Sequence, residues 1–291
     1  MNIIRLRVRF TGGLGNQIFQ YLASKYLCKV LPNVKITYEV SSYISEGYRD
    51  LGVGELLNET LIISEANIKS KGVYRGLSLY PKAVVKLLLR AYHLSGGDLI
   101  LSEYIASKCF SGSPLTSVGS YIAKLEYSSY RRIMGKNIVI DGYWQDLKPY
   151  IDEDIAPYTP QKLWRRYNMP EWSMPNEYIA IHVRRGDYID NKSTYNELGC
   201  AYDPIGYIKC ALSLIPASCR DNPLLVVTDD PYWCGEWIGT SITEGFPSVF
   251  MENSSAVRDW VLLSNARVNI ISNSTFSLTA AYLNKANKGH R

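Results

Sequence analysis

Tyr178-Ile179-Ala180-Ile181-His182-Val183-Arg184-Arg185-Gly186-Asp187-Tyr188 is the stretch that decides how this chain folds. Tyr178 to Val183 is an apolar run of strand formers interrupted only by His182, and Gly186-Asp187 marks an exit turn. Two adjacent guanidinium groups therefore stand at the carboxyl end of a buried-type strand, the edge where ligands bind in open α/β sheets. Side chains alternate along a strand, so His182 and Arg184 share one face while Val183 and Arg185 share the other. Arg184 is the better ligand candidate, and Arg185 is expected to pair with Asp187. A purely structural Arg-Asp turn is the alternative reading of this segment alone.

Downstream, strands and helices alternate with clear punctuation. Asp203 to Ile215 reads as a helix, and Leu224 to Thr228 as a buried strand leaving through Asp229-Asp230-Pro231. Ala256 to Ala266 is helical, Val268 to Ser272 is the next strand, and Asn273-Ser274-Thr275 opens a last helix from Phe276 to Leu283. Such alternation predicts a parallel, doubly wound sheet. It gathers three polar clusters at one sheet edge: His182 with Arg184, Asp229 with Asp230, and Asn273 with Ser274 and Thr275. An arginine can grip a diphosphate bidentately, a carboxylate can accept from a guanine N–H and amino group, and a helix start adds amide donors. Together they describe a nucleotide-diphosphate site that needs no metal.

Upstream, Ile3 to Phe10 alternates apolar and basic residues as a strand, and Thr11-Gly12-Gly13-Leu14-Gly15-Asn16-Gln17 reads as a tight glycine loop. A helix follows, burying a face made of Phe19, Leu22, Ala23, Tyr26, Leu27 and Val30. Ile18 stands where a dinucleotide fingerprint needs its third glycine or alanine, which disfavours a dinucleotide-dependent oxidoreductase. No Gly-Lys-Ser/Thr follows either, so the loop is not of the nucleotide-triphosphatase kind. Asn137 to Asp141 reads as a strand running into Gly142-Tyr143-Trp144-Gln145. The prolines of 157–160 and 170–175 read as a linker, placing one domain at 1–165 and a second at 175–291. Asp152-Glu153-Asp154 lacks a preceding apolar strand and reads as a solvated acidic loop rather than a metal site. Pro81 to Tyr92 reads as an amphipathic helix with Lys82, Lys86 and Arg90 four apart; a solvated face is the simpler account, contact with anionic lipid headgroups the alternative.

With 291 residues, 46% hydrophobic and 20% charged, the chain is a folded protein able to bury a large core. Its net charge of +5 suits a phosphate-bearing ligand and lacks the dense basic clusters of a nucleic-acid binder. The amino-terminal segment is broken by Arg5, Arg7 and Arg9, which argues against a signal peptide and for a cytoplasmic enzyme. The 6 cysteines form no C-x-x-C pair beside the 3 histidines, so no zinc site is expected and free thiols are. Tyrosine, with 23 copies, could line a polar ring-stacking pocket.

The motifs resemble those of the alpha-1,2-fucosyltransferase family, glycosyltransferase family 11. His182-Val183-Arg184-Arg185-Gly186-Asp187 is similar to that family's H-x-R-R-G-D motif, and Gly12 through Tyr21 looks like its amino-terminal glycine motif. Gly142-Tyr143-Trp144-Gln145, Val227 through Trp233, and Asn269 through Ser277 agree in the same order. The resemblance implies a GT-B-like α/β fold of two Rossmann-type domains, with the nucleotide-sugar site in the cleft and the first domain on the acceptor side. It implies inverting, metal-independent transfer of L-fucose from GDP-β-L-fucose to the 2-hydroxyl of a galactose-containing glycan. Arg184 would meet the donor β-phosphate, His182 and Asp230 the guanine or ribose, with Asp229 at the same edge, and Ser274, Thr275 and Ser277 the phosphates. Gly13, Gly15, Asn16 and Gln17 would border the cleft, and Asp187 and Asp190 are the carboxylates near enough to act as general base. Bacterial surface-polysaccharide synthesis on a lipid-linked glycan at the inner membrane face fits this reading. Leu278-Thr279 replaces the paired aromatics usual in the family, which leaves GDP-colitose open as donor. A non-catalytic carbohydrate or nucleotide-binding module is the alternative from another class.

Overall fold

The computed structural model describes residues 3–30, 33–40, 51–57, 99–102, 137–145, 160–169, 177–190, 204–240 and 242–284. The chain divides into two compact units, Met1–Ala156 and Pro157–Arg291. The amphipathic stretch at 81–92 and the acidic Asp152-Glu153-Asp154 lie outside the described residues.

The first unit holds strands β1 (Ile4–Phe10), β2 (Val34–Val40), β3 (Leu99–Ser102) and β4 (Asn137–Asp141), with helices α1 (Leu14–Val30) and α2 (Gly52–Leu57). Its sheet is parallel throughout, in the order β2-β1-β4-β3, with Leu6 in register with Ile36 on one side and Ile138 on the other. The alternation of β1 works as expected: Ile4, Leu6, Val8 and Phe10 are buried, while of the intervening arginines Arg5 is exposed and Arg7 and Arg9 are half-buried. Arg7 meets the buried carboxylate of Glu39 on β2 at 3.3 Å.

The second unit holds α3 (Pro160–Arg166), β5 (Ile179–Val183), α4 (Gly186–Asp190), α5 (Pro204–Ser213), β6 (Leu224–Thr228), α6 (Pro231–Trp237), β7 (Val249–Glu252), α7 (Ala256–Asn265), β8 (Val268–Ile270) and α8 (Thr275–Leu283). Its sheet is also parallel, in the order β7-β6-β5-β8, and β5 and β6 are buried at every position. Central strands covered by helices on both faces explain why their sequences run apolar without alternation. One face packs Ile179, Ile181, Leu224 and Val226 against Ile208 and Leu212 of α5 and Trp237 of α6. On α7, Trp260 is wholly buried and donates from Nε1 to Thr279 Oγ1 of α8 at 3.0 Å. Thr279→Val keeps the shape but removes that buried hydrogen bond, so we expect about 1 kcal/mol lost, read from the urea unfolding midpoint.

Both units are Rossmann-type parallel α/β layers, as expected, and three local expectations change. The glycine loop is only Thr11–Gly13, because Gln17 N closes the first turn of α1 onto Gly13 O at 3.1 Å. Gly15, Asn16 and Gln17 are therefore helical. Pro160 to Arg166, expected partly as linker, forms a helix that packs against α7 and belongs with the second unit. Gly186-Asp187 begins the short helix α4 instead of a simple turn.

Candidate active site

A parallel sheet has a switch point where connections leave a pair of neighbouring strands in opposite directions, and ligands bind at the carboxyl ends there. In the second unit β5 lies between β6, to which the chain proceeds next, and β8, to which it returns last. The switch point is thus the exit of β5 beside the exit of β8. His182 and Arg184 lie on one side of it, and Ser272 through Thr275 on the other.

The two exits are bonded together. His182 is buried, its Nδ1 lies 2.7 Å from Ser272 Oγ, and its ring tilts against Phe276 at 5.3 Å. Burial, and then the nearby Arg184 charge, pulls the imidazole down to about 3, so it stays neutral at physiological pH. A depressed histidine pKa stabilises the folded state fully above the unfolded value of 6.5 and ever less as the pH falls towards 3. His182→Gln should flatten that acid limb when melting temperature is followed against pH beside the wild type. Tyr188 on α4 adds a second tie, its hydroxyl donating to Asn273 O.

The two arginines are held differently. Arg184 Nη1 pairs with Asp229 Oδ2 at 2.8 Å. The same Asp229 carboxylate accepts from the backbone N–H of Arg185 at 2.8 Å and of Gly186 at 3.2 Å, which caps α4 and turns the chain into a helix. A Cβ on Gly186 would stand 3.0 Å from Asp229 Oδ2, so a larger residue there would press that carboxylate aside by a few tenths of an ångström. Arg185, expected beside Asp187, instead donates from Nε to Asp230 Oδ2 at 3.0 Å and lies 4.0 Å over the Trp233 ring. Asp230 also caps α6 by accepting from Trp233 N at 3.0 Å. That N–H, followed by Arg185, holds the Asp230 carboxyl below the usual range against the opposing pull of burial. Arg184 is the more exposed of the two, with 26% of its side chain accessible against 18% for Arg185.

Ser274 is the N-cap of α8, accepting from Phe276 N at 3.3 Å, with Thr275 at the first helical position and Asn273 exposed before it. Ser277 is fully buried, its hydroxyl facing the carbonyls of Ser272 and Ser274 at 3.5 and 3.4 Å, so it shapes the turn rather than lining it. Asp187 and Asp190 fall on α4, and their side chains lie outside what is described. The structure therefore brings Arg184, His182, Asp229, Asp230, Asn273, Ser274 and Thr275 to one edge. Sequence reasoning missed Ser272, Tyr188 and Trp233; the placement of Tyr188 one helical turn beyond Arg184 was the signal for the second.

In the first unit, Gly13 stands open beside a Gly12 at φ +76°. Gln17 is fully buried and spans Gly12 O at 2.9 Å and Val53 N at 3.2 Å, so it is scaffold and not a ligand-facing group. Gln20 joins the exits of β1 and β4, accepting from Thr11 N at 3.1 Å and donating to Gly142 O at 2.9 Å. Asn16 Oδ1 accepts from Gln145 Nε2 at 3.0 Å. Among the described residues no three His, Cys, Asp or Glu side chains converge as metal ligands, and no helix is long and apolar enough to cross a membrane.

The switch point of the second unit, with its guanidinium and helix start, suits a phosphate-bearing ligand. The family profile described as Glycosyl transferase family 11 matches residues 128–289, and the chain belongs to that family. It is 25% identical to an alpha-1,2-colitosyltransferase of Escherichia coli over 293 residues, covering 97% of this chain and 88% of that protein. It is 36% identical to the galactoside 2-alpha-L-fucosyltransferase SEC1 of Bos taurus over 112 residues, 38% of this chain and 30% of that one. Among solved structures it is similar to an Arabidopsis thaliana FUT1 mutant in complex with GDP, with a TM-score of 0.48 and 15% identity over 98% of this chain and 69% of that chain.

Proposed function

We propose that this enzyme transfers L-fucose, with inversion, from GDP-β-L-fucose to the 2-hydroxyl of a galactose-type acceptor, without a metal ion. The observation that carries the reading is Arg184, held by Asp229 at the exit of β5, the strand that neighbours β8 and the start of α8. As the glycosidic bond breaks, charge builds on the departing GDP, and a preorganised guanidinium stabilises that state more than the ground state. The free amides at the start of α8 and the Ser274 and Thr275 hydroxyls add donors for phosphate oxygens. His182, neutral and fixed by Ser272, and Asp230 stand at the same edge to meet the guanine or ribose, and Asp187 or Asp190 supplies the base. The acceptor is a galactose-containing glycan, lipid-linked and destined for a bacterial surface polysaccharide, which places the enzyme in the cytoplasm at the inner membrane face.

GDP-colitose is the second donor, favoured by the similarity to a colitosyltransferase. Offering the purified protein GDP-fucose or GDP-colitose with a panel of β-galactosides, with and without EDTA, separates the readings. We expect GDP release with GDP-fucose in the presence of EDTA. Release only with GDP-colitose reassigns the donor, loss of activity in EDTA overturns the metal-free step, and no release with either donor overturns the transferase reading.

A further inference from the structure

The first unit has a switch point of its own. From β1 the chain passes through α1 to β2 on one side, while β4 pairs on the other side of β1 and with β3 beyond. The crevice site is therefore the exit of β1 beside that of β4. Thr11, Gly12, Gly13 and Asn16 come from the first, and Gly142 to Gln145 from the second. All of these residues are uncharged. That is the opposite chemistry to the arginine-bearing edge of the second unit, and it suits a neutral ligand.

The β4 exit is built to present side chains. Gly142 (φ +139°) and Trp144 (φ +56°) both lie in the left-handed region, which is rare for tryptophan, and Gln20 holds the Gly142 carbonyl. The Trp144 side chain is buried, anchoring the turn from below. Its neighbours face outward: Tyr143 is 42% exposed and Gln145 is exposed. Gln145 is not loose, because its amide donates to Asn16 Oδ1 at 3.0 Å. The bond couples the two exits and leaves the Asn16 amino group as donor and Gln145 Oε1 as acceptor for a ligand. An exposed phenol ring two residues along the turn from a fixed pair of carboxamides matches a hexose, whose apolar face stacks on aromatic rings and whose vicinal hydroxyls both give and accept hydrogen bonds.

We infer that Tyr143, Gln145 and Asn16 form the subsite for the galactose-type residue of the acceptor glycan, with Tyr143 as its stacking platform. The inference rests on the proposed transferase reading for the identity of the sugar, and it gives Asn16, expected only to border the cleft, a contact with the acceptor. Saturation-transfer NMR with lactose, acceptor KM and GDP affinity by calorimetry test it in Tyr143→Ala, Tyr143→Phe and Gln145→Ala. The alanine variants should lose the lactose signal and raise acceptor KM about tenfold, roughly what one stacked ring or amide pair contributes, while GDP affinity holds. Tyr143→Phe, which keeps the ring, should restore most of the acceptor affinity. Unchanged lactose signal and acceptor KM in both alanine variants, or no lactose signal in the wild type, overturns the subsite. Wild-type protein that binds lactose through these residues but not GDP supports the subsite and overturns the donor reading instead. Gln145 lies exposed on the turn, so its variant carries the test should Tyr143→Ala fail to fold.

Discussion

Arg184→Ala is expected to lower transferase turnover by about a hundredfold or more, the usual effect of removing one preorganised donor from a developing anion. The loss should fall on kcat as well as on kcat/KM, because the leaving diphosphate carries more charge in the transition state than in the bound donor. Binding supplies an independent readout. The variant should weaken GDP but leave guanosine untouched, since guanosine lacks the phosphates that the guanidinium would grip. Arg184→Lys should recover only part of the rate, as an ammonium cannot make the bidentate contact. Equal GDP affinity and turnover in Arg184→Ala and wild type would remove this residue from the mechanism.

Asp229→Ala is expected to approach the same loss of rate by another route. Asp229 touches no reacting atom in the proposed mechanism; it pairs with Arg184 and caps α4 through the Arg185 and Gly186 amides. Without it the guanidinium loses its anchor, and a misplacement of about 1 Å can lower a rate a hundredfold. Loss of the cap adds roughly 1–2 kcal/mol of destabilisation. Asp229→Asn separates the two effects, because its single oxygen can still accept from one amide while the charge that holds Arg184 is gone. Stability near wild type with a depressed rate in Asp229→Asn, from thermal melts and steady-state kinetics, is the expected pattern. A wild-type rate in both variants would show that Arg184 finds its position unaided.

Several elements were legible from their residue patterns. β1 and α1 declared themselves through alternation and a helical stripe, and β5 and β6 through apolar runs interrupted only by His182 and closed by Thr228. The strands β2, β3 and β7 were not, while the shorter β8 was marked by the Asn273-Ser274-Thr275 turn that follows it. The site followed a similar division. Strand order alone placed Arg184, the two aspartates and the Ser274 turn on one edge. What each group does there was illegible, because Asp229 bonds, besides Arg184, to backbone amides 43 and 44 residues away. Gln17, expected to border the cleft, is instead buried and bonded to the main chain at Gly12 and Val53.

The Arg185 guanidinium over Trp233 has a practical consequence. An indole whose face carries a cation, and whose neighbour Trp237 lies 6.1 Å away edge-on, has an emission sensitive to any displacement of that cation. The loop bearing both arginines thus has a fluorophore beneath it, and donor binding can be followed optically without attaching a label.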